Sequence, residues 1–238
     1  MSTTTTEFVL SRDTIHLCTA TINPPAPIYH IRREISSLTH KDTSIQFFRG
    51  DGKDEGDKSR LHLFNLVHPV NARYRTDIPA EWYLTCSSSS TPSSDAAGNI
   101  RLQISKSLFG RIKEIKALRC VDRDETSKPL FDAESEKAVF TGKQRFGGGW
   151  VWSDEEGREV AKEDGGSKLV VKGIVERDFD ALVAVWVLRL WFGVAEEKKF
   201  EREAQMELLR DTGEESLVNM RWAKKAGIAG LAGAGGGR

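Results

Sequence analysis

The sequence has no charge of one sign to spare. Thirty-five Lys and Arg residues face thirty-five Asp and Glu, a formal net charge of zero. That balance argues against a dedicated nucleic-acid binder, whose affinity comes mostly from neutralising phosphates. Cysteine is scarce too. Cys18, Cys86 and Cys120 form an odd set with no Cys-x-x-Cys and no zinc-ligand spacing, so neither a disulfide framework nor a zinc ribbon is indicated. There is no Asn-x-Ser/Thr acceptor, and Met1–Glu7 is a Ser/Thr run without a basic or an apolar leader segment. These features predict a cytoplasmic or nuclear protein with reduced thiols, not a secreted one. At 238 residues the chain is long enough to bury about 70% of its unfolded surface, so it needs no disulfide to fold.

What the chain does have, through its first two-thirds, is a succession of short β-rich segments. They run Glu7–Ser11, Ile15–Ile22, Ile28–Arg32, Thr43–Arg49, Leu61–Val67, Glu81–Cys86, Asn99–Ser105, Ile112–Val121, Lys137–Phe140, Gly149–Ser153, Arg158–Lys162 and Lys168–Val175. Turn chemistry separates them: Asn23 to Pro27, the charged Gly50–Lys58 stretch, and a Ser/Thr/Pro run from Ser87 to Ser94. About a dozen short strands so punctuated predict a sandwich or a barrel.

From Asp180 the character changes. Ala181 to Val194 is fourteen residues of almost unbroken apolar side chains, with Trp186, Trp191, Phe192 and one charge, Arg189. As a helix it spans about 21 Å, short of the ~30 Å hydrocarbon core. Length, a candidate N-cap at Asp178 or Asp180 and a strongly helical continuation through Met206 favour helix over strand. A helix apolar nearly all round is stable only when protein surrounds it. The expected architecture is therefore a closed antiparallel β-barrel of about twelve strands around a buried hydrophobic C-terminal helix. A barrel that wide cannot be filled by its strand side chains alone, and closure removes its edges. Arg189 must then reach the rim or a carboxylate, because burying it unpaired is prohibitive.

The order strands-then-helix, together with Gly149–Ala161 (its Asp154-Glu-Glu-Gly-Arg-Glu-Val-Ala161 segment above all), Lys168–Val171 and Asp178–Gly193, resembles the tubby C-terminal-like superfamily. That group includes the tubby domain, the LURP-one-related proteins and the phospholipid scramblases, and the likeness is to its fungal members in particular. The resemblance implies a twelve-stranded barrel threaded by a hydrophobic helix, and, through the tubby domain, phosphoinositide binding. It covers residues 7–195, with the central helix at 178–194. Insertions at 50–60 and 87–98 depart from the compact family pattern. So does a charged helical extension over 196–225. Residues 1–6 and the Gly/Ala-rich 226–238 read as disordered.

No catalytic constellation is legible. Thr141–Gly149 lacks the upstream Gly and the hydroxyl after Lys143 that a phosphate loop needs. Asp51–His62 fails the calcium-loop ligand spacing. His16, His30, His40, His62 and His68 occur without HExxH or a nucleophile elbow. No cofactor and no metal site are expected. The best local basic excess is Arg101, Lys106, Arg111, Lys113, Lys116 and Arg119 against the single acid Glu114. Of these, Arg101, Lys106, Arg111, Lys113 and Lys116 are the candidate lipid-headgroup residues, since each cation near an anionic leaflet contributes about 1 kcal/mol. Phe200, Ala204 and Leu208 form a narrow stripe at i, i+4, i+8, which makes 196–222 a candidate protein-docking helix. The expected function is a non-enzymatic barrel module that binds a phosphoinositide, an anionic membrane surface or a protein partner on its outside. An enzyme with a rim cleft and a lipocalin-type ligand carrier stand as alternatives.

Overall fold

The computed structural model describes residues 5–18, 26–38, 42–50, 60–68, 82–87, 99–107, 112–119, 122–123, 129–130, 138–145, 148–164, 166–173 and 176–225, with side chains in the last segment described over 178–208. Twelve antiparallel strands close on themselves. They are β1 (Thr5–Ser11), β2 (Thr14–Cys18), β3 (Ala26–Ile31), β4 (Ser44–Arg49), β5 (Leu61–Val67), β6 (Trp82–Cys86), β7 (Ile100–Lys106), β8 (Ile112–Arg119), β11 (Ala138–Gln144), β12 (Trp150–Ser153), β13 (Glu159–Asp164) and β14 (Lys168–Lys172). A separate two-stranded sheet, β9 (Asp122–Arg123) with β10 (Pro129–Leu130), lies between β8 and β11 in the chain. Each barrel strand pairs with its neighbour in sequence, and β14 returns to β1 with Thr5 opposite Lys172 and Phe8 opposite Leu169.

The alternation of side chains builds this wall. Residues at period two point to one face of a strand. Ile15, Phe47, Leu66, Leu84, Ile115 and Trp152 thereby turn inward and are shielded completely. The β12–β13 turn shows how local sequence fixes local shape. Asp154 Oδ1 accepts from the backbone N–H groups of Glu156 and Arg158 at 3.1 and 2.9 Å, and Oδ2 accepts from Arg158 Nε at 2.8 Å. Gly157 takes φ +79°, a left-handed conformation that glycine adopts without a Cβ penalty.

A single helix follows, α1 (Glu176–Lys225). Ala181 through Leu188 and Trp191 are wholly shielded from solvent, and Phe192 is nearly so. They belong to the same core as the inward side chains of the strands. Wall and helix thus form one barrel-and-plug body. The chain divides into two compact units, Met1–Ala195 and Glu196–Arg238. In the second unit Phe200, Met206 and Leu208 are more than half exposed. Among the described residues no helix is long and apolar enough to cross a membrane.

Several expectations are corrected at element ends. The helix is already under way at Glu176, so Asp178 and Asp180 are not its N-cap. Asp180 instead accepts from Tyr29 and Arg49 of the wall. Thr5 and Thr6 are not a disordered lead-in; they pair with Lys172 and Val171. The last strand stops at Lys172, and Gly173 leaves it at φ +62°. The β9–β10 pair was not anticipated. Residues 1–4, the 51–59 loop, the 88–98 run and the 226–238 tail lie outside the described residues.

Candidate functional site

The inner wall holds the central helix by polar contacts at two levels. Low on the helix, Asp180 accepts a 2.6 Å hydrogen bond from the Tyr29 hydroxyl and a 3.1 Å ion-pair contact from Arg49. Tyr29 is almost fully buried, and burial beside the Asp180 carboxylate drives its hydroxyl far above the ordinary phenol range. It therefore stays protonated and keeps its donation to Asp180. Nine residues on, Arg189 Nη1 donates to Glu163 Oε1 at 2.5 Å, and its guanidinium lies 5.0 Å from the Trp150 ring centroid. The sequence requires Arg189 to reach the rim or a carboxylate, and Glu163 is the carboxylate it meets. Nothing in the linear order identifies it, because Glu163 becomes inward-facing only through the register of β13 on β12.

Aromatic contacts fix the far end of the plug. Trp82 meets Trp191 edge-on at 4.8 Å and Phe192 at 5.5 Å, with His68 stacked on Trp82 at 4.2 Å. Lys106 Nζ stands 5.8 Å over the Phe192 ring. Such contacts add about 0.5–1.5 kcal/mol each beyond area burial.

The candidate headgroup residues do not form one cluster. Lys106 and Lys113 stand near the β7–β8 connection, at the same end of the barrel as Trp191 and Phe192. Arg101 and Lys116 lie farther down β7 and β8, where Arg101 is opposite Leu118 and Lys116 opposite Gln103. Arg119 is at the opposite end of β8. Glu114, the one acid of the segment, forms a 3.5 Å ion pair with Lys143 of β11. Arg111 lies outside the described residues.

Three histidines far apart in sequence fall within one stretch of the wall, on β2, β3 and β5. His30 is opposite Phe48, and Phe48 is opposite His62, their rings 5.1 Å apart. His16 acts on His30 from β2, and burial together with Arg60 and His16 holds the His30 imidazole below its usual range against the pull of Asp13. Cross-strand register, which spacing alone does not reveal, makes this row. Among the described residues no group of three His, Cys, Asp or Glu is placed to hold a metal ion. The Gly142-Lys143 pair belongs to β11 and is followed by β12 rather than a helix, which removes the phosphate-loop reading.

An open groove of about 230 Å³ lies where the buried part of α1 meets the wall, formed by Leu10, Ile35, Leu190 and Val194 with Arg12 and Glu34. Ser36 Oγ donates to Glu34 Oε1 at 2.5 Å, but no histidine lines the groove to act as base toward that hydroxyl. A nucleophile, base and orienting group are not assembled there. No protein-family model, no curated protein and no solved structure matches the chain.

Proposed function

We propose that this chain is a non-enzymatic barrel module of the tubby C-terminal-like kind, acting in the cytoplasm or nucleus, that binds anionic lipid headgroups on its outer surface. The observation that carries the reading is the filled lumen: Ala181 to Leu188 are wholly shielded inside the strands. A lipocalin-type carrier needs an open interior, so ligand is left with the outer wall and the rims. Lys106, Lys113, Arg101 and Lys116 supply cations there. The test is co-sedimentation with phosphatidylcholine vesicles with and without a phosphoinositide. Binding at low salt that requires the phosphoinositide and falls in the Lys113→Ala/Lys116→Ala double variant supports the reading. No binding at low salt, or binding indifferent to the phosphoinositide, overturns it.

A second reading rests on the exposed Phe200, Met206 and Leu208: residues 196–222 dock a protein partner. Large apolar side chains left in water on one helix mark association surfaces. A partner pull-down that is lost on Phe200→Ser/Leu208→Ser and kept on the lysine substitutions separates this reading from the first.

A further inference from the structure

Glu163 is the acidic residue buried among the described residues. It sits on β13 opposite Trp150 of β12 and Leu169 of β14, facing the lumen. Its side chain is 1% exposed; that of Arg189, its partner on α1, is 18% exposed. One carboxylate oxygen takes the Arg189 hydrogen bond, while Oε2 is shielded with no donor in full hydrogen-bond geometry, the Trp186 indole N–H acting on the carboxyl only weakly. The surroundings are otherwise apolar: Trp150 and Leu169 from the wall, Trp186 from the helix. On its own strand Lys162 and Asp164 have the opposite parity, and Lys162 is held by Glu159 at 3.0 Å. From β14 the nearest charge in sequence, Lys168, is paired with Glu7. Arg189 is therefore the charged group that acts on Glu163.

A carboxylate with half its acceptor capacity unused in such surroundings pays a desolvation cost that one cation does not repay. Burial pushes Glu163 up to about 7, with Arg189 and the Trp186 indole pulling the other way. Arg189, in turn, is near enough to solvent to reach water when released.

The geometry points to Glu163–Arg189 as a proton-controlled latch on the last buried turns of the central helix. Ionised Glu163 holds Arg189 inward against Trp150. When a proton from solvent adds to Oε2, Glu163 becomes a neutral acid, the ion pair is lost and the Trp186 indole loses its pull on the carboxylate. Arg189 then swings across Trp150 to water. Leu190 and Val194, one and five residues further on, line the open groove, so release of the latch alters that groove as well. The Asp180 contacts with Tyr29 and Arg49 still hold the earlier turn, which confines the change to one end of the plug.

Amide hydrogen exchange on the full chain, corrected for the intrinsic pH dependence of exchange, tests this between about pH 5.5 and about pH 8.5. Protection over residues 187–195, relative to 181–186, falls about tenfold on acidification, the scale of one lost charge-assisted hydrogen bond. Glu163→Gln shows the same protection at both pH values. In the wild-type chain, which needs no substitution to be informative, the infrared carbonyl band of isotope-labelled glutamate shows a buried carboxyl titrating near neutrality. Equal relative protection at both ends of the range overturns the latch. So does a pH response that survives Glu163→Gln, or a Glu163 that stays ionised down to about pH 5.

Discussion

Adding one methyl group at Gly142 tests how tightly wall and plug are pressed together. Gly142 lies on β11 opposite Trp152 of β12. An ideal Cβ there stands 2.9 Å from Trp152 Cζ3 and 3.0 Å from both Cε3 and Cη2. Carbon atoms in ordinary contact stay about 3.5–4.0 Å apart, so three contacts are short at once. Trp152 has little room to retreat, being completely buried, with Trp150 stacked 6.4 Å away and the helix beyond in the same core. Gly→Ala at a site that tolerates it stabilises by about 0.4–1 kcal/mol through the unfolded chain. Overpacking a rigid core costs about 1–3 kcal/mol, and here it wins. Gly142→Ala is expected to destabilise by ~1–2 kcal/mol, a fall of roughly 2–8 °C in Tm for a chain of this size. Urea denaturation followed by far-UV circular dichroism measures it, without depending on tryptophan emission. Repeating the substitution in a Trp152→Leu background removes the obstacle, so the cost of Gly142→Ala should vanish there. That non-additivity identifies the contact as the cause. A Gly142→Ala variant as stable as wild type, with Trp152 intact, would refute the close-packed wall.

Trp186→Asp places a carboxylate in the middle of the plug, where an unpaired charge costs several kcal/mol against a total stability of about 5–15 kcal/mol. No cooperative unfolding transition is expected for it, whereas Trp186→Phe should retain one. Tyr29→Phe removes the 2.6 Å bond to Asp180 but leaves Arg49 on that carboxylate. The expected loss is about 1–2 kcal/mol by urea denaturation, and a loss below about 0.3 kcal/mol would show the bond to be incidental. Stability should also depend on pH through Glu163. Its carboxyl lies higher in the fold than its ordinary 4.5, at about 7. Between those values the folded chain holds a proton that the unfolded chain has released, so stability falls as pH rises through the window and levels off above it. Glu163→Gln removes that slope; a slope unchanged in the variant would assign it to another group.

The fold was legible because two periodicities changed at one place. Period-two alternation ran to Lys168–Val171, and the apolar block at Ala181–Val194 was too short for a bilayer and too water-shy for a surface. Once both belonged to one body, the helix had to go inside the strands. Arg189 even announced its need for the rim or a carboxylate. Its partner was illegible because a glutamate on a strand faces in or out according to register, and a shift of one residue reverses the face. The β12–β13 register shifts between Trp152 and Ser153, so counting along the strand does not recover Glu163. The His30–Phe48–His62 row escaped for the same reason, with β4–β5 shifting between Phe47 and Phe48. The basic segment shows the converse effect of strand geometry. Its cations are close in sequence, yet β7 and β8 spread them from one end of the barrel to the other.

Closure of the wall and burial of the helix support each other, because both draw on one core. The pair that seals the barrel, β1 with β14, brings together the first and last strands, and closing a loop of that length costs about 4–5 kcal/mol of chain entropy. The ladder from Thr5↔Lys172 to Val9↔Lys168 supplies part of the return. The rest comes from burial, and much of that burial is against the plug. Phe8 of β1 meets Phe179 of α1 edge-on at 5.2 Å and Tyr29 at 6.0 Å. Tyr29 in turn donates to Asp180. A phenylalanine shielded this way contributes about 2–3 kcal/mol, which an unfilled lumen would forfeit. The helix therefore gives the sealing strand the surface on which it closes, and β14 delivers that helix within four residues of its own end. A barrel closed in this way has its interior filled by its own helix, with Ala181 to Leu188 wholly shielded.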